Sequence, residues 1–453
     1  MHELTELIKE DMRPALGVTE PGAIAFAVST AKKYLAESII PGSDPNDVIN
    51  AAKIDLIDIS MNSGMYKNAF TCGIPNSDHF GNLYSAALGA VAADPTLGLE
   101  CLSGVTDAAD RDAASLVNSG KVKARLSEVS SRIHIVARLE AMHHTATVTI
   151  LDSHTNISGI EIDGKTVLSN GEQFEKEVES HEHCDENGRN CEPHRSNAVI
   201  HGYTLPQIFE YAVSVPFDEI SFIKDAYEMN LKLAMLGIKD PKTSYARNLL
   251  KKNNGKIISD DEQNTATLLC AAAIEARVLG LDLPAMSITG SGAHGIIATM
   301  GLYAVAKIRN LSEEILVRAT AISYLVCMYI KEYSGKLSAF CGCAIAAGTG
   351  MAAALVFMSG GDASHAALAV NNMASGITGM ICDGGNHGCT IKGITAVDAA
   401  FRAASFAMDG ICIDARHGIN GNSPEETMRN MGLIASPGMT ETEKTIIQIM
   451  EEK

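Results

Sequence analysis

At 453 residues the chain has room for two or three domains and a large core. With 46% hydrophobic and 20% charged residues it is a globular sequence and not a disordered one. Its net charge of -18 argues against nucleic acid and anionic membrane as partners. The acidic start, Met1 to Asp11, is helical in pattern and lacks the basic and apolar regions of a secretory signal. A cytoplasmic, reducing location is therefore expected. Disulfides are not expected among the eleven cysteines, most of which read as small core residues.

In chain order, residues 1 to about 40 read as helix, broken at Gly17-Val18-Thr19-Glu20-Pro21-Gly22. Thr19 is a candidate N-cap, and Pro21 suits the first turn that follows. Residues 53–75 look extended, and 79–95 are Ala-rich and helical. From Val122 to Leu168 the pattern alternates as strands do, with Asp163-Gly164 marking a hairpin turn. Residues 169–196 are polar and read as an exposed insertion. After Pro216 the strand signal almost vanishes, and Ala-rich patterns run to Ala407. Leu337 to Gly361 carries no charged residue and is long enough to cross a bilayer, but its Gly and Ala content fits a buried central helix. The fold class expected is α+β: a small mixed α/β domain built around the β-rich segment, plus a large, mainly helical catalytic domain with buried central helices. The expected divisions are an N-terminal stretch at 1–118, a β-rich domain at 119–205 and a helical domain at 206–453.

Three groups of residues carry chemistry. Cys341, Cys382 and Cys389 lie beside glycines, spaced 41 and then seven residues apart. That spacing matches neither a ferredoxin run nor a zinc ribbon. Thiolates near yielding backbone are nevertheless what a buried iron–sulfur cluster needs. Packed cysteines between small residues are the alternative, and Cys343 can stand in for Cys341 in either case. Second, Thr289-Gly290-Ser291-Gly292-Ala293-His294-Gly295 contains G-x-G-x-x-G, but helical pattern follows helical pattern here, against a dinucleotide fold. A loop whose amides, with Ser291, hold a carboxylate at a helix start is the better use. His294 then stands as a general acid or base, or as an ordinary hydrogen-bonded histidine. Third, His181, His183, Cys184, Cys191 and His194 carry zinc-type donors at no standard spacing, and a solvated loop is the preferred reading. Glu20, with Lys67 and Asn68, adds loop polar groups beside glycine and proline.

Taken in order, Gly17-Val18-Thr19-Glu20-Pro21, Gly73-Ile74-Pro75, His154-Thr155-Asn156-Ile157, Thr289 to Gly295, Gly335 to Gly342 and Gly379 to Gly384 resemble the 4Fe-4S L-cysteine desulfidase family. That family is similar in its C-terminal half to the alpha chain of iron–sulfur L-serine dehydratases. The resemblance implies a 4Fe-4S cluster on Cys341, Cys382 and Cys389. It implies a lyase that converts L-cysteine or a related amino acid to a 2-oxo acid, ammonia and sulfide or another leaving group. Alternatives are a serine-type dehydratase or hydro-lyase acting on a hydroxylated substrate, and a non-catalytic cluster-bearing sensor. Three thiolates leave one iron open as a Lewis acid for the leaving group. Catalytic candidates for proton transfer are His294, Glu20 and Lys392. Ser291, Gly292, Asn68 and Ser338 are the substrate-binding candidates. A homodimer is the expected assembly. The sequence departs from the family pattern at Val18, where cysteine is usual, and at Ala293-His294, where Asn-Gln is usual. Both fall at substrate positions.

Overall fold

The protein is described by a computed structural model over residues 1–170, 198–335 and 337–453. Its strands are β1 (Arg13–Leu16), β2 (Ile54–Asn62), β3 (Val122–Glu128), β4 (His134–Ala141), β5 (His144–Leu151), β6 (Ile157–Ile162), β7 (Lys165–Ser169) and β8 (Pro284–Ser287). Six of them form one sheet in the order β3-β2-β4-β5-β6-β7, parallel only between β2 and β3. Period-2 alternation sends Ile135, Ala137, Leu139 and Ala141 of β4, with Ala146, Val148 and Ile150 of β5, to one buried face. The helix Thr19–Ile39 packs on that face, with the helix Gly81–Val91 on its other side. Being covered on both sides, it is rich in small residues rather than striped. The hairpin from β6 to β7 turns at Asp163 and Gly164, with φ of 49° and 76°, as the Asp-Gly pair predicts.

The remainder is helical, as expected. The helix Glu262–Val278 is buried along nearly its whole length, against the helices Lys224–Lys239, Gly292–Ile308 and Gly388–Met408. The helix Gly348–Met358 is likewise enclosed by Glu313–Ser334, Ala363–Ile377 and Gly388–Met408. Apolar side chains on all faces of such helices are core, each large one stabilising the fold by roughly 1.5–3 kcal/mol. The α+β class is as read from the sequence. The sheet takes β2 from the N-terminal stretch, and the β1–β8 pair ties residues 13–16 to the helical part.

Local expectations fare unevenly. The extended reading of 53–75 holds for β2, but Ser63–Ala69 is a helix buried on nearly every side, where packing decides. Val18, not Thr19, is the N-cap of its helix; the Thr19 hydroxyl donates to Glu20 Oε2 at 3.0 Å instead. The uncharged run from Leu337 is not one helix. A π-helical turn at Cys343–Ala347 precedes the α-helix Gly348–Met358. Among the described residues no helix is long and apolar enough to cross a membrane. The His/Cys set at 181–194 and most of the polar insertion lie outside the described residues.

Candidate active site

One cavity of about 180 Å³ collects side chains from both halves of the chain. Glu20 comes from the start of the helix Thr19–Ile39, Asn68 from the end of Ser63–Ala69, and His154 from the turn after β5. Ser291 and His294 flank the start of Gly292–Ile308. Ser338, Cys341, Cys382, Cys389 and Lys392 complete the wall. Of the candidates within the described residues, Glu20, Asn68, Ser291, His294, Ser338, Cys341, Cys382, Cys389 and Lys392 thus lie on this cavity, and Gly292 follows Ser291 without lining it. Sequence reasoning missed Arg277, which also lines it, and gave His154 no role.

Two short backbone stretches align the cysteines. Phe340 and Ile381 form an isolated antiparallel bridge. The Cys341 N–H donates to Met380 O at 3.0 Å and the Cys382 N–H to Ala339 O at 2.6 Å. Cys389 sits in the first turn of Gly388–Met408, its thiol donating to Gly384 O at 3.3 Å. Cys343 opens the π-helical turn, a feature that often marks functional sites, and its Sγ lies 3.5 Å from Cys341 Sγ. The neighbouring Cys343 thiol and burial hold the Cys341 thiol well above its ordinary range. Burial raises Cys382 and pushes Cys389 up to about 12. Such thiols ionise only against strong positive charge. Among the described residues no three His, Cys, Asp or Glu side chains converge tightly enough for a single metal ion. Cys341, Cys382 and Cys389 nevertheless line one cavity, and several cysteine thiols on a shared cavity are the donors an iron–sulfur cluster takes. On this donor chemistry the residues fit an iron–sulfur cluster.

Lys392 forms an ion pair with Asp383 beside these thiols. Burial works against its charge, but Cys382, Asp383, Cys389 and Cys341 hold its pKa above the usual lysine value. Asn68 donates to Glu20 Oε1 at 2.8 Å. Burial opposes ionisation of Glu20, yet His154, 3.9 Å away, with Asn68 and Arg277, lowers its pKa to about 2. Glu20 is therefore a carboxylate throughout the neutral range.

His294 is 7% exposed. Burial first, then Lys331 and Arg277, push its pKa well below the ordinary histidine value, so the ring is neutral. Its tautomer follows from Thr289. The Thr289 hydroxyl donates to Ile288 O at 2.7 Å, and so it accepts from His294 Nδ1 at 2.5 Å. Nε2 keeps its lone pair and abuts Gly342, where any Cβ would lie 2.5 Å from it. Thr289 holds a positive φ of 51°, strained for a β-branched residue. Its N–H donates to Asp11 Oδ2 at 2.5 Å, which helps fix that conformation.

Val18 is buried, and Gly385 packs so closely on it that a Cβ there would lie 2.7 Å from Val18 Cγ1. The position at which the resemblance expects a cysteine is thus an apolar section of the cavity wall, beside the loop that carries Cys382 and Cys389.

Comparison with known proteins matches residues 96–448 to the serine dehydratase alpha chain family. Similar full-length relatives are UPF0597 proteins. One from Clostridium botulinum (strain Okra / Type B1) is 36% identical over 450 residues, covering 99% of this chain and 98% of the relative. One from Caldanaerobacter subterraneus is also 36% identical over 450 residues, with the same coverage. One from Geobacter sulfurreducens is 34% identical over 451 residues, covering 99% and 98%.

Proposed function

The chain belongs to the serine dehydratase alpha chain family, and we propose that it is an iron–sulfur lyase removing a thiol or hydroxyl from the β-carbon of a small α-amino acid. The observation that carries this reading is the meeting of Cys341, Cys382 and Cys389 with a neutral His294 and an ionised Glu20 on one cavity. Cys341, Cys382 and Cys389 would hold a 4Fe-4S cluster, whose open iron, when bound, supplies a Lewis acid for the leaving group.

The chain's own groups supply the rest. His294 Nε2 accepts the α-proton; a buried, neutral imidazole with a fixed tautomer is suited to that task. Glu20 is too weak a base at a pKa of about 2 and serves as the counter-charge of the substrate ammonium. Lys392, held as a cation, offsets the charge of the thiolates and is not a base. Ser291 and the amides that open the helix Gly292–Ile308 seat the carboxylate. Asn68 fixes Glu20, and Ser338 lines the same cavity. The eliminated enamine tautomerises to an imine, and water releases ammonia and the 2-oxo acid.

Val18 removes a thiol from this wall and leaves it apolar, which favours a substrate needing no thiol partner. An apolar contact of this size shifts discrimination by about 1–3 kcal/mol. The test is anaerobic purification with iron and sulfide analysis, then 2-oxo acid release from L-cysteine, L-serine, L-threonine and homocysteine. Protein that contains iron and sulfide and releases 2-oxo acid from one of them supports the reading. A cluster-loaded protein that turns over none of them refutes it.

A further inference from the structure

The least expected group in the cavity is Arg277. It lies near the end of the buried helix Glu262–Val278 and is 4% exposed. Among the described residues its guanidinium makes neither a hydrogen bond nor an ion pair, and Nε is buried without an acceptor. Leaving a guanidinium buried and unpaired costs stability. Glu20 favours the charge from a distance but makes no contact at ion-pair range. A group held at that cost calls for an anion in the working state of the protein.

The second observation is independent of the first. The helix Gly292–Ile308 is 17 residues long, and its N-cap, Ser291, makes no side-chain capping bond. Among the described residues the N–H groups of Gly292, Ala293 and His294 have no acceptor. A long helix therefore presents three unanswered donors, and the positive end of its dipole, beside the cavity. Arg277 packs directly beneath: a Cβ at Gly292 would lie 2.7 Å from Arg277 Nε. Unpaired amides and an unpaired guanidinium thus share one spot.

We infer that Arg277 is the charged half of the substrate carboxylate seat. The guanidinium offers paired N–H donors to one carboxylate while the helix amides complete its hydrogen bonding. Glu20 faces the same cavity with the opposite charge, so the site is arranged for a zwitterion, a carboxylate at one end and an ammonium at the other. This inference rests on the amino-acid lyase reading above. It adds the residue that selects a free α-carboxylate over its amide or ester.

The experiment uses the anaerobically purified, cluster-loaded full chain. Calorimetric titration with L-serine, L-alanine, L-alaninamide and pyruvate is run on wild type, Arg277→Gln and Arg277→Lys, alongside the visible absorption of the cluster. Wild type should bind the free acids better than the amide. Arg277→Gln should lose about 10- to 100-fold of that preference at unchanged absorption and iron content. Arg277→Lys, which keeps the charge without the planar fork, should lie between and guards against a simple folding defect. Retention of the full acid-over-amide preference in Arg277→Gln would overturn the assignment. So would loss of iron or an altered spectrum in both variants, which would make Arg277 a partner of the cluster. If wild type binds pyruvate but no amino acid, and Arg277→Gln loses pyruvate, the carboxylate seat stands and the amino-acid reading falls.

Discussion

Lys67 and Glu443 form a buried ion pair that reaches the site from the far end of the chain. Their Nζ and Oε2 atoms are 2.6 Å apart, with side chains 0% and 6% exposed. Lys67 Nζ also donates to Ser338 O at 3.2 Å, and so steadies the loop that leads to Cys341. At an effective dielectric constant of about 20, two unit charges at this separation attract by about 6 kcal/mol, most of it offset by desolvation. Removing one partner leaves the other charge stranded, so Glu443→Leu or Lys67→Met alone should cost about 3–5 kcal/mol. Replacing both together should cost far less than the two single changes added, because no charge is then left unpaired. Urea unfolding of the four proteins gives the cycle. Iron content of each gives the consequence for the site: Glu443→Leu should fall in iron because Ser338 loses an anchored donor. A Glu443→Leu variant within 1 kcal/mol of wild type, or strict additivity in the double variant, would refute this account.

Other outcomes follow from the cavity. Cys382→Ala should lose iron, whereas Cys343→Ala should keep it; full iron in the former, or loss in the latter, would move the ligand set to include Cys343. His294→Gln should lower kcat by about 10²- to 10⁴-fold with iron retained. Wild-type kcat should hold as pH falls through the ordinary histidine value and drop only well below it, since the folded pKa of His294 is depressed. A kcat that titrates near 6.5 would point to another base. Glu20, lowered from 4.5 to about 2, binds protons in the unfolded chain before it does in the folded one. Its contribution, roughly 3 kcal/mol, is complete above pH 4.5 and is lost as pH falls from there toward 2. Glu20→Gln should flatten the acid limb of stability over that window, and an unchanged limb would show that Glu20 is not its source.

The sequence discloses those parts of this protein whose chemistry is local. Strand alternation in β4 and β5, the Asp163-Gly164 turn and the Ala-rich helices each follow from a few adjacent residues. Glycine-flanked cysteines and the Thr289 to Gly295 loop stand out in the same way. Cavity residues without such a marker do not. Arg277 lies in Ala276-Arg277-Val278, where a lone arginine near a helix end reads as a solvated charge or a favourable partner of the helix dipole. Only the packing of Gly292–Ile308 over it turns that charge inward. Glu443 stands among charged neighbours in the helix Thr440–Glu451, and only the ion pair with Lys67 marks it as buried.

The same distinction explains how Val18 reads. As a sequence departure it is a missing thiol and suggests lost activity. In the structure its methyl groups fill the space against Gly385, beside the loop that carries Cys382 and Cys389. The surrounding arrangement is complete: His294 keeps its tautomer through Thr289, Glu20 stays ionised, and the unpaired Arg277 underlies unanswered helix amides. A buried, unpaired guanidinium and a β-branched residue at positive φ each cost stability, and on the proposed function both are kept for the ligand the cavity takes. On the proposed function the substitution changes the shape and polarity offered to a β-substituent, while Glu20, His294 and Arg277 stay on the cavity.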